Sequence, residues 1–356
     1  MQEEIRIRQI ELYKLFIPLK EPFIISLGPI PNAENVVVII HTDQGITGYG
    51  ECSPFMSING ESMDTCFVVG QYFARLFKGK NALAIEDRIA EMDRLIYGNS
   101  SIKSAFDMAL YDIASQHAGL PLYKYLGGDN AKTIVTDYTV SIGDPGKMAA
   151  DAVKIKEEGY PAIKIKLGKD GATDVLRIRA IREAVGNDIP LRIDANQGWQ
   201  VDEAITTLKA LAQFDIQHCE EPIPRWAFME LARVRKESPI PIMSDESCGD
   251  EHDAERLIQL NACDYMNIKL GKSGGIFKAL KMVKLAEAAK LHLQVGAFME
   301  SRLAMSAFAH FSLCSPVIEH FDFDTCLMFV EDPVTGGIVY ENNGVVKVPE
   351  TPGLGA

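Results

Sequence analysis

The sequence predicts an α/β fold, in which a parallel barrel of eight strands follows a smaller α+β module. Two observations lead to this prediction. From Thr133 onward, short apolar strands alternate with amphipathic helices, the pattern of a parallel sheet covered by helices. In the same region charged residues recur at intervals of 28, 26, 25 and 24 residues, each close to the length of one strand plus one helix. These residues are Lys166, Asp194, Glu220, Asp245 and Lys269.

Composition narrows the class of protein. The 356 residues allow two domains, or one barrel with an additional module. A net charge of -13 disfavours binding to nucleic acid or to anionic membranes, and most of it is expected on a solvated surface. The seven cysteines show no paired spacing, and residues 1–6 lack the basic and apolar regions of a signal peptide. No apolar run approaches membrane-spanning length, so we expect a cytoplasmic protein.

The first part of the chain predicts a three-stranded meander followed by helices. Residues 4–16 alternate as a strand, residues 36–41 are β-branched, and a third strand follows the turn at Asp43–Gly45. Gly28, Pro29 and Pro31 predict a loop over residues 18–31. A helical pattern then extends over residues 63–117. We expect these elements to form an α+β module of residues 1–128.

The barrel is predicted at residues 129–325. Its strands are expected near residues 134–141, 161–167, 191–195, 216–220, 241–245, 265–270, 292–296 and 317–323. Apolar residues with helical spacing fall between the strands, for example from Val175 to Val185 before Gly186. Eight strands separated by helices predict a modified TIM barrel of the form (β/α)7β. Residues 326–356 contain no further barrel element and are expected to pack back against the N-terminal module.

The charged residues are expected inside the barrel, at the ends of its strands. Because strand side chains alternate between two faces, Lys164 and Lys166 share one face and the neighbouring isoleucines share the other. A single such strand would also fit an antiparallel sheet with one solvated face. Helices between all the strands leave only the barrel interior for the polar faces. Since burial of charge is costly, we expect an active site at these strand ends.

Three of the charged residues predict a metal site. Asp194, Glu220 and Asp245 come from consecutive strands and supply hard oxygen ligands, and no His or Cys occupies an equivalent position. This set favours one Mg²⁺ over Zn²⁺. Capping of the following helix would explain one strand-end Asp, but it is less persuasive for all three residues together.

The two lysines at the ends of the series predict a proton transfer. Lys166 precedes the carboxylates and Lys269 follows them, so they approach the metal from opposite sides. One lysine could remove a proton next to a substrate carboxylate, and the other could return a proton to the opposite face. A lysine base must have its pKa lowered from about 10.4. Burial and the neighbouring positive charge of Lys164, Lys166 and the metal are expected to lower it.

Five motifs resemble those of the enolase superfamily, and within it those of the muconate lactonising enzyme subgroup. They are Lys164-Ile165-Lys166, Asp194-Ala195-Asn196, Glu220-Glu221-Pro222, Asp245-Glu246-Ser247 and Asn267-Ile268-Lys269. The resemblance spans essentially the whole chain and implies that the N-terminal module is a capping domain. Mandelate racemase-like members place a His at the end of the seventh strand, whereas residues 295–301 contain none. Two lysines fit a two-base epimerisation.

The segment Phe321-Asp322-Phe323-Asp324-Thr325 resembles the Asp-x-Asp signature of dipeptide epimerases. The resemblance implies that Asp322 and Asp324 hold the free α-ammonium group of a dipeptide. The alternative is a helix cap plus a surface Asp.

The resemblance also implies that the capping loops and the loop after the seventh strand contact the substrate. The candidates are Gly28, Phe55, Ile58, Phe298 and Met299. Gly28 stands where Ala-Glu epimerases of the family carry an arginine, and residues 54–59 are mostly apolar. We therefore expect L-Ala-X substrates with a small or hydrophobic X, because a buried glutamate would lack a partner. Lys20 lies in the same region and could restore a preference for glutamate.

Three functions remain open from the sequence. The leading one is a Mg²⁺-dependent dipeptide epimerase, with an L-Ala-D/L-Glu epimerase as its acidic variant. The second is a lyase on the same scaffold, similar to muconate cycloisomerase or o-succinylbenzoate synthase, whose substrate would leave the two aspartates without a cation. The third is a non-catalytic metal or peptide binder, which would need neither Lys166 nor Lys269. A homo-oligomer is expected.

Overall fold

A computed structural model describes residues 4–356, so the first three residues of the predicted N-terminal module lie outside the described part. The N-terminal sheet is antiparallel, in the order β1-β2-β3, and its strands are β1 Ile7–Ile25, β2 Gly28–Thr42 and β3 Thr47–Cys52. Five helices follow it: α1 Met56–Asn59, α2 Met63–Phe77, α3 Ile85–Leu95, α4 Ser100–His117 and α5 Leu122–Tyr125. The predicted meander followed by helices is confirmed.

The loop predicted over residues 18–31 is wrong. The strands β1 and β2 continue through it, and Ile25 pairs with Gly28 while Phe23 pairs with Ile30. Strand β3 pairs only with residues 36–41 of β2. Pro29 and Pro31 therefore lie where β2 has a partner on one side only, and their missing N–H groups can face the free edge.

Strand β3 packs unusually close to helix α4, because two of its residues are glycines. A Cβ atom on Gly48 would lie 2.2 Å from the carbonyl oxygen of Ala109, and one on Gly50 would lie 1.9 Å from that of Ala105. Real Cβ atoms do not approach backbone oxygens this closely. The two glycines thus fix the depth at which β3, including its residue Glu51, lies against the helix.

A Gly50→Ala substitution is expected to destabilise the protein by about 3 kcal/mol, because backbone on both sides must move to admit the methyl group. Denaturant unfolding would measure the change. Gly143→Ala is the matched control, since the nearest atom to its Cβ would be 3.6 Å away. Equal free energies of unfolding for the two variants would contradict the claim that the packing of β3 on α4 leaves no room for a methyl group at Gly50.

The second sheet has eight strands in sequential order and forms the barrel. Its strands are β5 Tyr138–Val140, β6 Ile163–Lys166, β7 Leu191–Asp194, β8 Ile216–Glu220, β9 Ile242–Ser244, β10 Tyr265–Ile268, β11 His292–Gly296 and β12 Ile318–Asp322; a short strand, β4 Ile134–Val135, precedes them. The helices between them are α6 Pro145–Glu157, α7 Gly171–Val185, α8 Val201–Leu211, α9 Phe228–Glu237, α10 Glu251–Leu260, α11 Leu270–Ser273, α12 Ile276–Ala289 and α13 Arg302–Ser312. The strands pair in parallel and helices fill all seven connections, which confirms the (β/α)7β fold.

The strand predicted at residues 134–141 is two strands. Between β4 and β5, the hydroxyl of Thr136 accepts a hydrogen bond from Phe323 N at 2.8 Å, and the carboxylate of Asp137 binds Arg192 at 2.8 Å. These polar contacts replace a regular ladder at the point where the chain enters the barrel. As a result β4 leaves the barrel and pairs with the C-terminal part of the chain.

The C-terminal residues contact both parts of the molecule. Strands β13 Val339–Tyr340 and β14 Val345–Lys347 pair with each other, and β14 pairs with β4. Further on, Leu122 N donates a hydrogen bond to the carbonyl of Gly353 at 2.9 Å, and Leu354 N donates one to Asp112 at 2.9 Å. The C-terminus thus contacts the helices of the N-terminal module. Among residues 4–356, no helix has both the length and the apolar character needed to cross a membrane.

Candidate active site

The register of the barrel strands brings the charged residues to one level. Lys166 on β6 pairs with Asp194 on β7, and Asp194 pairs with Glu220 on β8. Glu220 in turn pairs with Met243 of β9, and Asp245 lies two residues further along the chain, directly after the end of β9. Lys269 follows β10 directly. All five predicted residues are buried and belong to the same end of the barrel.

Each outer carboxylate is bonded to one of the two predicted bases. Lys166 Nζ donates a hydrogen bond to Asp194 Oδ2 at 2.6 Å, and Lys269 Nζ donates one to Asp245 Oδ2 at 2.8 Å. The strands β7, β8 and β9, which carry the carboxylates, lie between the strands that carry the lysines. The two lysines therefore flank the carboxylates from opposite sides, as the sequence predicts.

Glu220 lies at the centre of the group. Its carboxylate accepts hydrogen bonds from Lys164 Nζ at 2.8 Å, from Asn267 Nδ2 at 2.9 Å and from Gln294 Nε2 at 3.2 Å. Lys164 also donates to Asp322 Oδ2 at 2.8 Å. Gln294 was not predicted. The alternation of side chains along β11 places it on the same face as Gly296, but its neutral side chain does not show whether that face points into the barrel.

Lys272 is a second residue that the sequence reasoning missed. Its ammonium group donates hydrogen bonds to the side chain and carbonyl of Asp245 and, at 3.1 Å, to the carbonyl of Asn267. Its position in the short helix α11, three residues after Lys269, places both lysines beside the same carboxylate. Asp245 is therefore held by two cations.

Glu221 binds the backbone of the loop that carries Asp245. This buried residue has a positive φ of 34°, and its carboxylate accepts hydrogen bonds from Asp245 N at 2.7 Å and Ser247 N at 3.2 Å. A positive φ is uncommon for a residue other than glycine and persists where the surroundings require it. The strained turn thus fixes the backbone that presents Asp245.

The electrostatics of the site are those of close, buried charges. Burial, and then the Asp194 carboxylate, raise the pKa of Glu220 to about 7. Burial also acts to raise the pKa of Asp245, but Lys269 and Lys272 hold it far below its usual value. For Lys269, burial acts to lower the pKa, but Asp245 and then Glu220 outweigh burial and leave the pKa raised.

The residues fit a divalent cation by the chemistry of their donors. Within residues 4–356, no three acidic, His or Cys side chains are already arranged as a metal centre, because the carboxylates turn to the lysines instead. Three buried carboxylates nevertheless converge here, and burial, followed by repulsion from Asp194, raises the pKa of the central one. Asn196 Oδ1 and Glu246 Oε2, beside them, are buried without a hydrogen-bond partner. Such an oxygen-rich and repulsive group suits Mg²⁺.

Asp322 and Asp324 are both buried at the eighth strand end, so neither is a surface residue. Asp322 binds Lys164, and Asp324 Oδ2 accepts a hydrogen bond from Thr139 N at 2.7 Å. Burial, and then the neighbouring Asp322, raise the pKa of Asp324 well above its usual value. Two adjacent buried carboxylates of which one is poorly stabilised provide a site for a cationic group.

Aromatic side chains cover the lysines. The ring of Phe298 lies 4.8 Å from Lys269 Nζ and stacks on Phe55 with ring centroids 5.8 Å apart. The ring of Phe23 lies 5.7 Å from Lys166 Nζ. The predicted residues Phe55 and Phe298 thus connect a capping loop to one of the bases. Phe23 was not predicted, because its segment was assigned to a loop.

A cavity of about 310 Å³ adjoins this aromatic pair. Gly28, Phe55 and Met299 are among the residues that line it, whereas Ile58 is buried beside it and accepts a hydrogen bond from Arg225. The lining contains no Lys or Arg among the described residues, and Glu34 is its only charged side chain. Lys20 is exposed and donates to the carbonyl of Leu327 instead. The cavity is therefore suited to a neutral group.

Comparisons with known proteins agree with this architecture. A family model described as "Mandelate racemase / muconate lactonizing enzyme, N-terminal domain" matches residues 8–127. A second, described as "Enolase C-terminal domain-like", matches residues 147–356. The chain belongs to the enolase superfamily. The resemblance drawn from the five sequence motifs is thereby confirmed.

Two curated relatives within the superfamily are epimerases. The D-Ala-D/L-Ala epimerase of Cytophaga hutchinsonii is 59% identical over 98% of this chain and 95% of its own length. The L-Ala-D/L-Glu epimerase of Bacillus subtilis is 40% identical over 98% of this chain and 96% of its own length. A solved structure of a dipeptide epimerase from Cytophaga hutchinsonii, complexed with Mg and the dipeptide D-Ala-L-Val, is 58% identical with a TM-score of 0.98 and covers 99% of this chain and 95% of its own.

Proposed function

We propose that the protein is a magnesium-dependent dipeptide epimerase, an isomerase that inverts the α-carbon of the C-terminal residue. The observation that carries the proposal is the placement of Lys166 and Lys269 on opposite sides of three buried carboxylates. Binding alone requires neither an acid nor a base. Relatives at 59% and 40% identity that are epimerases support the same reaction.

The two lysines divide the reaction between them. One takes the α-proton from one face of the C-terminal residue as a general base, and the other delivers a proton to the opposite face. Because both ammonium groups are bonded to carboxylates, each must leave Asp194 or Asp245 to reach the substrate. Lys164 adds a fixed positive charge between Glu220 and Asp322.

Asp194, Glu220 and Asp245 are the residues that would hold one Mg²⁺ per subunit. The metal would supply positive charge beside the substrate carboxylate, where negative charge develops as the α-proton leaves. Asn267 and Gln294 orient Glu220, and Lys272 with Glu221 orients Asp245.

Asp322 and Asp324 are proposed to bind the α-ammonium group of the dipeptide. An N-acetylated dipeptide lacks this charge, so kcat/KM for N-acetyl-L-Ala-L-Val is expected to be at least about 100-fold below that for L-Ala-L-Val. Asp324→Asn should lower kcat/KM for the free dipeptide and so narrow the difference between the two substrates. Asp129→Asn, at an exposed position, is the control and should leave the difference unchanged. Equal rates for the two substrates in the wild-type enzyme would refute the ammonium site.

The C-terminal residue is proposed to be small or hydrophobic, because the capping cavity offers a carboxylate no basic partner. We expect kcat/KM for L-Ala-L-Val or L-Ala-L-Leu to exceed that for L-Ala-L-Glu by at least about tenfold. The D-Ala series belongs in the same assay, since one relative is a D-Ala-D/L-Ala epimerase. A clear preference for L-Ala-L-Glu would instead support the acidic alternative, which the Bacillus subtilis relative represents.

We further propose that the enzyme works in the cytoplasm as a homo-oligomer on a small dipeptide, without nucleic acid or membrane partners. The seven unpaired cysteines support the cytoplasmic location, and the net charge of -13 supports the lack of nucleic-acid and membrane partners. Size-exclusion chromatography with light scattering would test the oligomer, and a monomer at micromolar concentration would contradict it.

A further inference from the structure

The loop between β11 and α13 is held by the N-terminal sheet rather than by the barrel alone. The carboxylate of Glu51, at the end of β3, accepts hydrogen bonds from Ser301 N at 3.0 Å, from the Ser301 hydroxyl at 2.6 Å and from Ala304 N at 3.2 Å. Ser301 is the N-cap residue of α13, and Ala304 belongs to its first turn, whose N–H groups have no partners within the helix. Glu51, a residue of the N-terminal sheet, thus caps helix α13 of the barrel.

Asn35 and Ser53, which lie close to Glu51, hold Met299, two residues before Ser301 in the same loop. Asn35 Nδ2 donates to Glu51 Oε1 at 2.7 Å and to the carbonyl of Met299 at 2.8 Å. The hydroxyl of Ser53 accepts a hydrogen bond from Met299 N at 3.2 Å. We call Asn35, Glu51 and Ser53 the clamp; all three are buried.

The strands that carry the clamp are held firmly in place. The close packing of Gly48 and Gly50 against α4 leaves β3 no room to shift. Asn35 lies on β2, and the neighbouring Val36 pairs with Cys52, the residue after Glu51. The positions of the three clamp residues are therefore set by the N-terminal sheet.

The loop that the clamp holds carries Phe298, whose ring covers Lys269 at 4.8 Å and stacks on Phe55. Lys166, on the other side of the site, lies against Phe23, which the pairing of Phe23 with Ile30 holds within the N-terminal hairpin. Loosening of residues 299–304 would thus act on Lys269 through Phe298, a residue of the loop itself, and on Lys166 only through Phe23, which shares a hydrophobic cluster with Met299.

We propose that Glu51, together with Asn35 and Ser53, is a positioning group that keeps Phe298 over Lys269 and so serves the proton transfer of Lys269 more than that of Lys166. The proposal deepens the epimerase function and rests on it. It assigns the N-terminal sheet a part in the orientation of one base, in addition to the loops that line the cavity.

The first part of the test does not depend on activity. In Glu51→Gln, one acceptor oxygen becomes an amide that cannot accept from Ser301 or Ala304. Amide hydrogen exchange measured by mass spectrometry should therefore become faster in residues 299–304. Asn35→Ala provides a second variant if Glu51→Gln fails to fold. Glu11→Gln is the matched control, because Glu11 binds His41 within the same sheet and does not contact the barrel loop. Unchanged protection of residues 299–304 in both clamp variants would overturn the proposal.

The second part separates positioning from general destabilisation. The rate at which each of the two epimers of a dipeptide exchanges its α-proton in D₂O would be measured, with Lys269→Ala identifying the epimer that Lys269 serves. Glu51→Gln is expected to slow that epimer by about 10- to 100-fold and the other by less than about threefold. Equal slowing of both epimers would overturn the proposal. If the wild-type enzyme exchanges neither epimer, the epimerase function itself fails, and the hydrogen exchange of residues 299–304 alone decides whether the clamp exists.

Discussion

Lys166→Ala and Lys269→Ala are each expected to lower the rate of epimerisation by about 10²- to 10⁴-fold, the usual contribution of a general acid or base. Inversion requires a proton to leave one face and another to arrive at the opposite face, so neither lysine can replace the other. The structure places the two ammonium groups on opposite sides of the carboxylates, with separate partners at 2.6 and 2.8 Å. Polarimetry or chiral chromatography of the dipeptide would measure the loss.

A single remaining lysine should still exchange the α-proton of one epimer. Each alanine variant is therefore expected to incorporate deuterium into one epimer only, and the two variants into opposite epimers. Lys284→Ala, on the exposed side of α12, is the control and should retain wild-type rates. Full epimerisation by either active-site variant would refute the two-base mechanism.

Glu220→Gln is expected to abolish both the activity and the effect of Mg²⁺ on stability. Glu220 is the central carboxylate, and its neighbours Asn267 and Gln294 can still hydrogen-bond to a glutamine, so the substitution removes charge with little change of shape. A cation that binds only the folded wild-type protein at 100 times its Kd stabilises it by about 2.7 kcal/mol. The variant should show no such shift in thermal unfolding.

Two comparisons make the metal test specific. Chelation with EDTA should inactivate the wild-type enzyme, and Mg²⁺ should restore it. Glu255→Gln, at an exposed position of α10, should respond to Mg²⁺ as the wild type does. Activity that survives exhaustive chelation, or a Mg²⁺-dependent shift that persists in Glu220→Gln, would contradict the assignment of the metal ligands.

The barrel and its charged strand ends could be predicted from the sequence because both follow from local periodicity. The alternation in residues 163–167 fixes which side chains face inward, and the regular spacing of the charges follows from the repeated βα unit. The structure confirms this interior, where Lys164, Asp194, Glu220 and Asp245 are buried together. Neutral inward residues such as Gln294 gave no comparable signal, because an amide fits a surface as readily as a barrel interior.

Features that depend on contacts between distant segments could not be predicted. The prolines at positions 29 and 31 indicated a loop, but whether a proline breaks a strand depends on which of its edges is paired. The direct contact of Lys269 with Asp245, which raises the pKa of the lysine, likewise joins two separate βα units. The clamp formed by Asn35, Glu51 and Ser53 joins residues about 250 positions apart, a distance in sequence at which no spacing rule applies.

The most direct measurement is proton NMR of a dipeptide panel incubated with the wild-type protein and Mg²⁺ in D₂O. A base on each side of the C-terminal α-carbon should replace its proton by deuterium, with the opposite epimer appearing alongside. The α-proton of the N-terminal residue should remain. Failure of every dipeptide to exchange, or exchange confined to the N-terminal residue, would contradict the assignment of this site to dipeptide epimerisation.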